Sequence, residues 1–156
     1  MIVPRLMMFT PHRYFVLVLL TVTGLAAQAA APAGRFVVSD DMKTVTDTKT
    51  GLVWQRGVAN STKNWADARA WCHTNGSNLP DTGWRLPSVE ELQTIVDTSV
   101  YRPAIDWTAF TYTPSDFFWT STPLAGSSSH AWYVFFDSGG VGRRCVSLYH
   151  LVRCVR

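Results

Sequence analysis

Past residue 30 the chain carries three histidines (His73, His130, His150), three cysteines (Cys72, Cys145, Cys154) and one adjacent pair of arginines (Arg143, Arg144). Zinc requires imidazole or thiolate ligands at close, patterned spacing; these histidines lie far apart and none is paired with a cysteine at such spacing. Hard cations take about six to eight oxygens, whereas Asp106, Asp116 and Asp137 are scattered. No metal set and no cofactor motif is therefore expected. Ser121 or Ser129 with His130 and Asp137 lacks the strand–Gly-X-Ser-X-Gly–helix setting of a nucleophile elbow. Gly139-Gly140-Val141-Gly142 precedes a strand, so it reads as a hairpin turn and not a phosphate cradle.

What remains is recognition chemistry. Arg143 and Arg144, with His130 in the neighbouring turn, can meet sulfate or carboxylate through charge-assisted hydrogen bonds. Trp107, Tyr112, Phe117 and Phe118 lie in or beside a long segment without clear period, where exposed rings can stack on sugars or dock a protein. Trp107, Tyr112, Phe117, His130, Arg143 and Arg144 are the candidate ligand-binding residues. No residue is assigned a catalytic role.

These side chains must be held by a small framework. Residues 1–29 read as an export signal: Arg5 and Arg13 precede an apolar run from Tyr14 to Leu25, followed by the small residues Ala27-Gln28-Ala29. The run is short against the ~20 apolar residues of a membrane span, so no stable span is expected once the signal is removed. The remainder has the length of one domain, with a leader over residues 30–43. Without Arg5 and Arg13, Lys+Arg exceeds the 11 acidic residues by one, which gives no electrostatic footprint for nucleic acid. Export places the cysteines in an oxidising compartment. Three is odd, so one thiol is left over or pairs between molecules. Cys72 with Cys154 is the favoured bridge, and Cys145 with Cys154 the rival.

Phe36–Val38, Val45–Thr48 and Leu52–Arg56 read as short strands, with Gly51 closing a turn between the last two. Asn64 caps a helix whose Trp65, Ala68, Trp71 and Cys72 form one apolar face, stopped by Gly76. Ser88 and Glu91 make the capping box of a second helix with Val89, Leu92, Ile95 and Val96 inward. Residues 97–116 read as a long ordered loop with a turn of helix near Trp107. Strands are expected at Phe117–Ser121, Ala131–Phe136, Val146–Tyr149 and Leu151–Val155. Trp54, Trp65, Trp71 and Trp84 fall on core faces, and Arg85 is expected to pair with an acid such as Glu91.

Taken in order, Thr50-Gly51-Leu52-Val53-Trp54, Trp65-Ala66-Asp67-Ala68, Trp71-Cys72, Gly83-Trp84-Arg85-Leu86-Pro87, Phe118-Trp119-Thr120-Ser121, Ala131-Trp132-Tyr133-Val134 and Val152-Arg153-Cys154-Val155-Arg156 resemble the C-terminal domain family of the Legionella collagen-like adhesin. The resemblance covers residues 44–156. It implies an α+β, C-type-lectin-like fold, with two helices packed on a small twisted antiparallel sheet with long loops. It also implies a bridge from first helix to last strand, which maps to Cys72 and Cys154. No Gly-X-Y run provides that adhesin's stalk. The calcium-dependent sugar motifs of C-type lectins are absent. The related formylglycine-generating enzymes use a reactive cysteine pair. Here that would be Cys145 and Cys154, and the bridge would occupy Cys154.

The expectation is thus a secreted, periplasmic or cell-surface module without enzymatic activity. Its partner would be an extracellular glycan, such as a sulfated polysaccharide, or an envelope protein in a structural role.

Overall fold

The computed structural model describes residues 32–58 and 61–156; the expected signal segment lies outside them. Strands β1 (Phe36–Val38), β2 (Thr44–Asp47) and β3 (Val53–Gln55) form an antiparallel meander in that order. The β2–β3 turn places Gly51 at φ 75°, a conformation that costs glycine nothing. Helices α1 (Trp65–His73) and α2 (Val89–Thr94) follow. Strands β4 (Phe117–Pro123), β5 (His130–Phe135) and β6 (Gly140–Cys145) form a second antiparallel meander. The molecule is therefore α+β, with two small three-stranded sheets where one was expected.

Both helices start as their sequences dictate. The Asn64 side chain accepts the Asp67 N–H at 2.9 Å. The Ser88 hydroxyl accepts the Glu91 N–H, and the Glu91 carboxylate accepts the Ser88 N–H, closing a capping box. Beyond α1, a Cβ on Gly76 would stand 2.4 Å from the Trp71 ring, so the indole lies flat on the glycine. Ala68 and Cys72 turn fully inward, while Trp65 and Trp71 are half-buried at the flanks of that face.

The C-terminal reading needs correction. Residues 140–145, expected partly as a turn, form strand β6, and the reversal is confined to the residues around Gly139. Val146–Tyr149 is a turn, closed by the Leu148 N–H on the Cys145 carbonyl. Leu151–Val155 is extended but belongs to neither meander. Leu151 bridges Phe118 in parallel fashion, and Val155 bridges both Trp54 and Arg85. The reason is geometric: these residues cross from one sheet to the other, bonding each only locally.

This crossing segment separates two cores. Leu151 and Val155 pack with Val45, Trp54, Leu92, Phe110 and Phe118. Val152 and Cys154 pack on the other side with Ala68, Cys72, Trp84, Leu86 and Trp119. Alternate side chains of an extended chain point opposite ways, and here each direction meets a core. Burying each large apolar side chain contributes roughly 1.5–3 kcal/mol. The Cys72–Cys154 bond spans α1 and this segment, with Cα atoms 5.4 Å apart.

Residues 97–116 form the expected ordered loop. Ile105 and Phe110 are fully buried anchors, and the Ala104 N–H donates to the Phe136 carbonyl at 2.7 Å. Near Trp107 lies the expected single turn, closed by the Phe110 N–H on the Asp106 carbonyl.

Candidate functional site

A cavity of about 530 Å³ runs between α1 and the Arg85–Leu86 stretch. One wall is a face of α1: Trp65, Arg69 and His73 at successive helical turns, with Ala66 and Ala70 between them. The other wall is Arg85, Leu86 and Ser121. Short bonds fix these walls together. The Trp65 indole N–H donates to the Thr120 carbonyl at 2.7 Å, which locks the ring. The Ser121 N–H donates to the Pro87 carbonyl at 2.7 Å. Arg85 and Val155 exchange two backbone hydrogen bonds of 2.9 Å. The groove therefore stands on the same terminal segment that the disulfide ties to α1.

Two guanidinium groups line it. The Arg69 guanidinium lies over the Trp65 ring at 4.9 Å from the centroid. Arg85 presents the other cation and is about half exposed (47%). It is bonded to Glu91 by two hydrogen bonds of 2.7 and 2.6 Å, as the sequence suggested. The Glu91 bond holds the Arg85 pKa above its ordinary value. Reciprocally, the Arg85 bond first, with the Ser88 N–H, keeps the Glu91 carboxyl below the usual range against the effect of burial. His73 occupies the last turn of α1. No carboxylate lines the groove itself. An apolar floor flanked by guanidinium groups can receive an anionic group through charge-assisted hydrogen bonds.

The Lcl C-terminal domain model matches residues 43–156. The chain belongs to the Lcl C-terminal domain family. No curated protein matches it. In this Lcl C-terminal domain, β1 lies upstream of the matched residues yet completes the first sheet. Family membership and the intramolecular disulfide are compatible with an extracellular location. Among the described residues, no helix is long and apolar enough to cross a membrane.

The six residues singled out from sequence lie elsewhere on the domain and fall into three places. Trp107 and Tyr112 project from the long loop, 70% and 87% exposed; Tyr112 lines a cavity of about 400 Å³ with Val58, Thr113 and Pro114. Phe117 and Arg144 meet: the guanidinium lies 4.5 Å from the ring centroid, and Phe117 stacks on Phe135 at 4.3 Å. His130 and Arg143 stand on the other face of the β5–β6 ladder, opposite Cys145 and Trp132 respectively. Adjacent strand residues point to opposite faces, so Arg143 and Arg144 do not converge on one ligand. The His130 ring bonds the Ser127 and Ser129 hydroxyls at 3.1 and 3.0 Å.

Sequence reasoning placed Trp65 in the core and Arg85 in a structural pair, weighed His73 only as a metal ligand, and passed over Arg69. The usable signal was the i, i+4, i+8 spacing of Trp65, Arg69 and His73, a second stripe beside the buried one. What could not be read was that Arg85 would stand across from it.

Proposed function

We propose that the domain is a C-type-lectin-like recognition module that acts outside the cytoplasm without catalysis, and that it binds anionic glycan in the groove beside α1. The carrying observation is the pairing of a fixed, half-buried Trp65 ring with the cations of Arg69 and Arg85 across an apolar floor. Such a combination can hold an anionic saccharide, the apolar floor supplying contact and the Arg69 guanidinium charge-assisted bonds to sulfate or carboxylate.

The test is retention on a heparin column at low salt, with elution by salt because exposed charge pairs are screened. Arg69→Ala should elute earlier and Arg69→Glu should not be retained. Arg69 is exposed on α1, so neither change should disturb folding. An unretained native protein, or retention unchanged in both variants, rejects the reading. The Arg143→Ala/Arg144→Ala variant then reports whether the β6 arginines share in binding.

A protein partner in the envelope is the second reading, favoured by Trp107 and Tyr112 on an ordered loop. It predicts that Trp107→Ala and Tyr112→Ala abolish capture of the partner while heparin retention is unchanged.

A further inference from the structure

Strand β6 is the last of its sheet, and no strand pairs with its outer side among the described residues. The Val146 N–H donates to the Ser129 carbonyl, and bonding alternates along an antiparallel pair, so Gly140, Gly142 and Arg144 are the β6 residues that bond β5. Val141 and Arg143 turn their N–H and C=O groups the other way. No backbone partner meets these four groups among the described residues, and both residues are exposed. The opposite edge of the sheet is closed. There β4 exchanges bonds with Leu151, and the Ser121 N–H reaches the Pro87 carbonyl. At the end of β6 the Leu148 N–H takes the Cys145 carbonyl, which ends the open stretch.

An open edge recruits another strand unless a proline, a bulge, shortness or charge blunts it. Strand β6 has six residues and no proline, and it pairs with β5 without a shift of register. Only charge remains. Arg144 is drawn aside over the Phe117 ring, 4.5 Å from the centroid. Its face of β6 otherwise carries Gly140 and Gly142. A Cβ at Gly142 would stand 2.5 Å from the Tyr133 hydroxyl, so that ring lies over the strand. The other face carries Arg143 and Val141, the latter 43% exposed. The edge therefore repels cationic strands and accepts anionic ones. A second copy of β6 is disfavoured. In its longest antiparallel overlaps Arg143 would face Arg143 directly or on the diagonal, where like charges destabilise.

We propose that the outer edge of β6 takes an extended acidic peptide segment as an added strand. The backbone groups of Val141 and Arg143 supply the ladder. Two adjacent acidic residues of the peptide point to opposite faces and meet Arg143 and Arg144. An apolar residue two places along, on the Arg143 face, packs on Val141. This edge is separate from the groove beside α1, whose walls include no residue of β6.

The experiment is an NMR titration of the isotope-labelled protein with a synthetic octapeptide of threonine and valine that carries two adjacent glutamates at its centre. The amide signals of Val141 and Arg143 should move, and those of Arg69 and His73 should not. The peptide with lysine in place of both glutamates should not bind. Neither should the glutamate peptide N-methylated at its central residues, which lacks the donors of a ladder. Arg143→Gln should weaken binding about two- to fivefold, the worth of one cross-strand charge pair. Val141→Pro removes a donor that β5 does not use and should abolish binding, with the amide signals outside β5 and β6 unmoved as the check on folding. Arg143→Glu/Arg144→Glu keeps every backbone donor and should exchange the preference to the lysine peptide. Binding that survives N-methylation, that ignores the sign of the peptide's charge, or that moves the Arg69 amide in place of Val141 and Arg143 overturns the proposal. Self-association of the protein alone, abolished by Val141→Pro, assigns the edge to a second copy and overturns it too.

Discussion

Arg85 and Glu91 face each other fork to fork, six residues apart, and the Glu91 oxygen that binds Arg85 Nη1 also accepts the Ser88 N–H at 2.8 Å. One carboxylate thus closes the start of α2 and restrains a cation of the groove. Stability and binding are coupled through it with opposite signs.

Glu91→Gln should therefore lower stability while strengthening anion binding. The amide keeps part of the capping box but loses the charge-assisted fork, at a cost of about 1 kcal/mol. Arg85 is then free to meet ligand. The expected outcome is a lower thermal midpoint together with later salt elution from heparin. Earlier elution would show that Arg85 needs its partner to be positioned.

Cys72 and Cys154 close a loop of sequence separation 82, and loss of a native bridge of this kind costs about 2–5 kcal/mol. Cys72→Ala should shift the urea midpoint down by that amount, and reductant should do the same to the native protein but not to the variant. Non-reducing peptide mapping should find Cys145 as the one alkylatable thiol.

Arg153 is fully buried and forms no salt bridge among the described residues. Its guanidinium donates to the carbonyls of Gln55 and Arg56 at 2.6 and 2.7 Å and to the Thr113 hydroxyl at 2.6 Å. It also lies 4.9 Å from the Phe110 ring centroid. Burial pushes its pKa down to about 9, which leaves it charged at neutral pH. Arg153→Met should cost about 2–4 kcal/mol, because two carbonyls lose their donors in the interior. Arg153→Lys should recover only part of this, since an ammonium cannot span acceptors arranged for a planar fork. Chemical denaturation of the two variants decides the order.

His150 is buried between the Phe117 and Trp119 rings, with centroids at 5.4 and 4.6 Å, and its Nε2 has no partner among the described residues. Burial, and then the Arg144 charge, hold its pKa below 6.5; Asp116 acts the other way. The unfolded chain therefore binds this proton more readily than the folded one. Its contribution to stability is complete above about pH 6.5 and is lost as pH falls through the folded value. The denaturant midpoint should drop over that window, and His150→Phe should flatten the dependence. An unchanged slope in the variant would assign the loss to other groups.

The sequence by itself determined the local elements. Asn64, Ser88 and Glu91 cap their helices through bonds within a few residues, and the turn at Gly51 needs only its own backbone freedom. It also carried the family, and the resemblance implied the partner of Cys72 where the residues alone left two pairings open. Tertiary structure decided the rest. Leu151–Val155 has the alternation of a strand, yet it bridges two sheets because a core awaits it on either side. Arg143 and Arg144, neighbours in sequence, are parted by the pleat, whereas Trp65 and Arg85, twenty residues apart, are brought to the walls of one groove. A ligand site is a matter of which surfaces face each other, and that is fixed by long-range packing that no local spacing encodes.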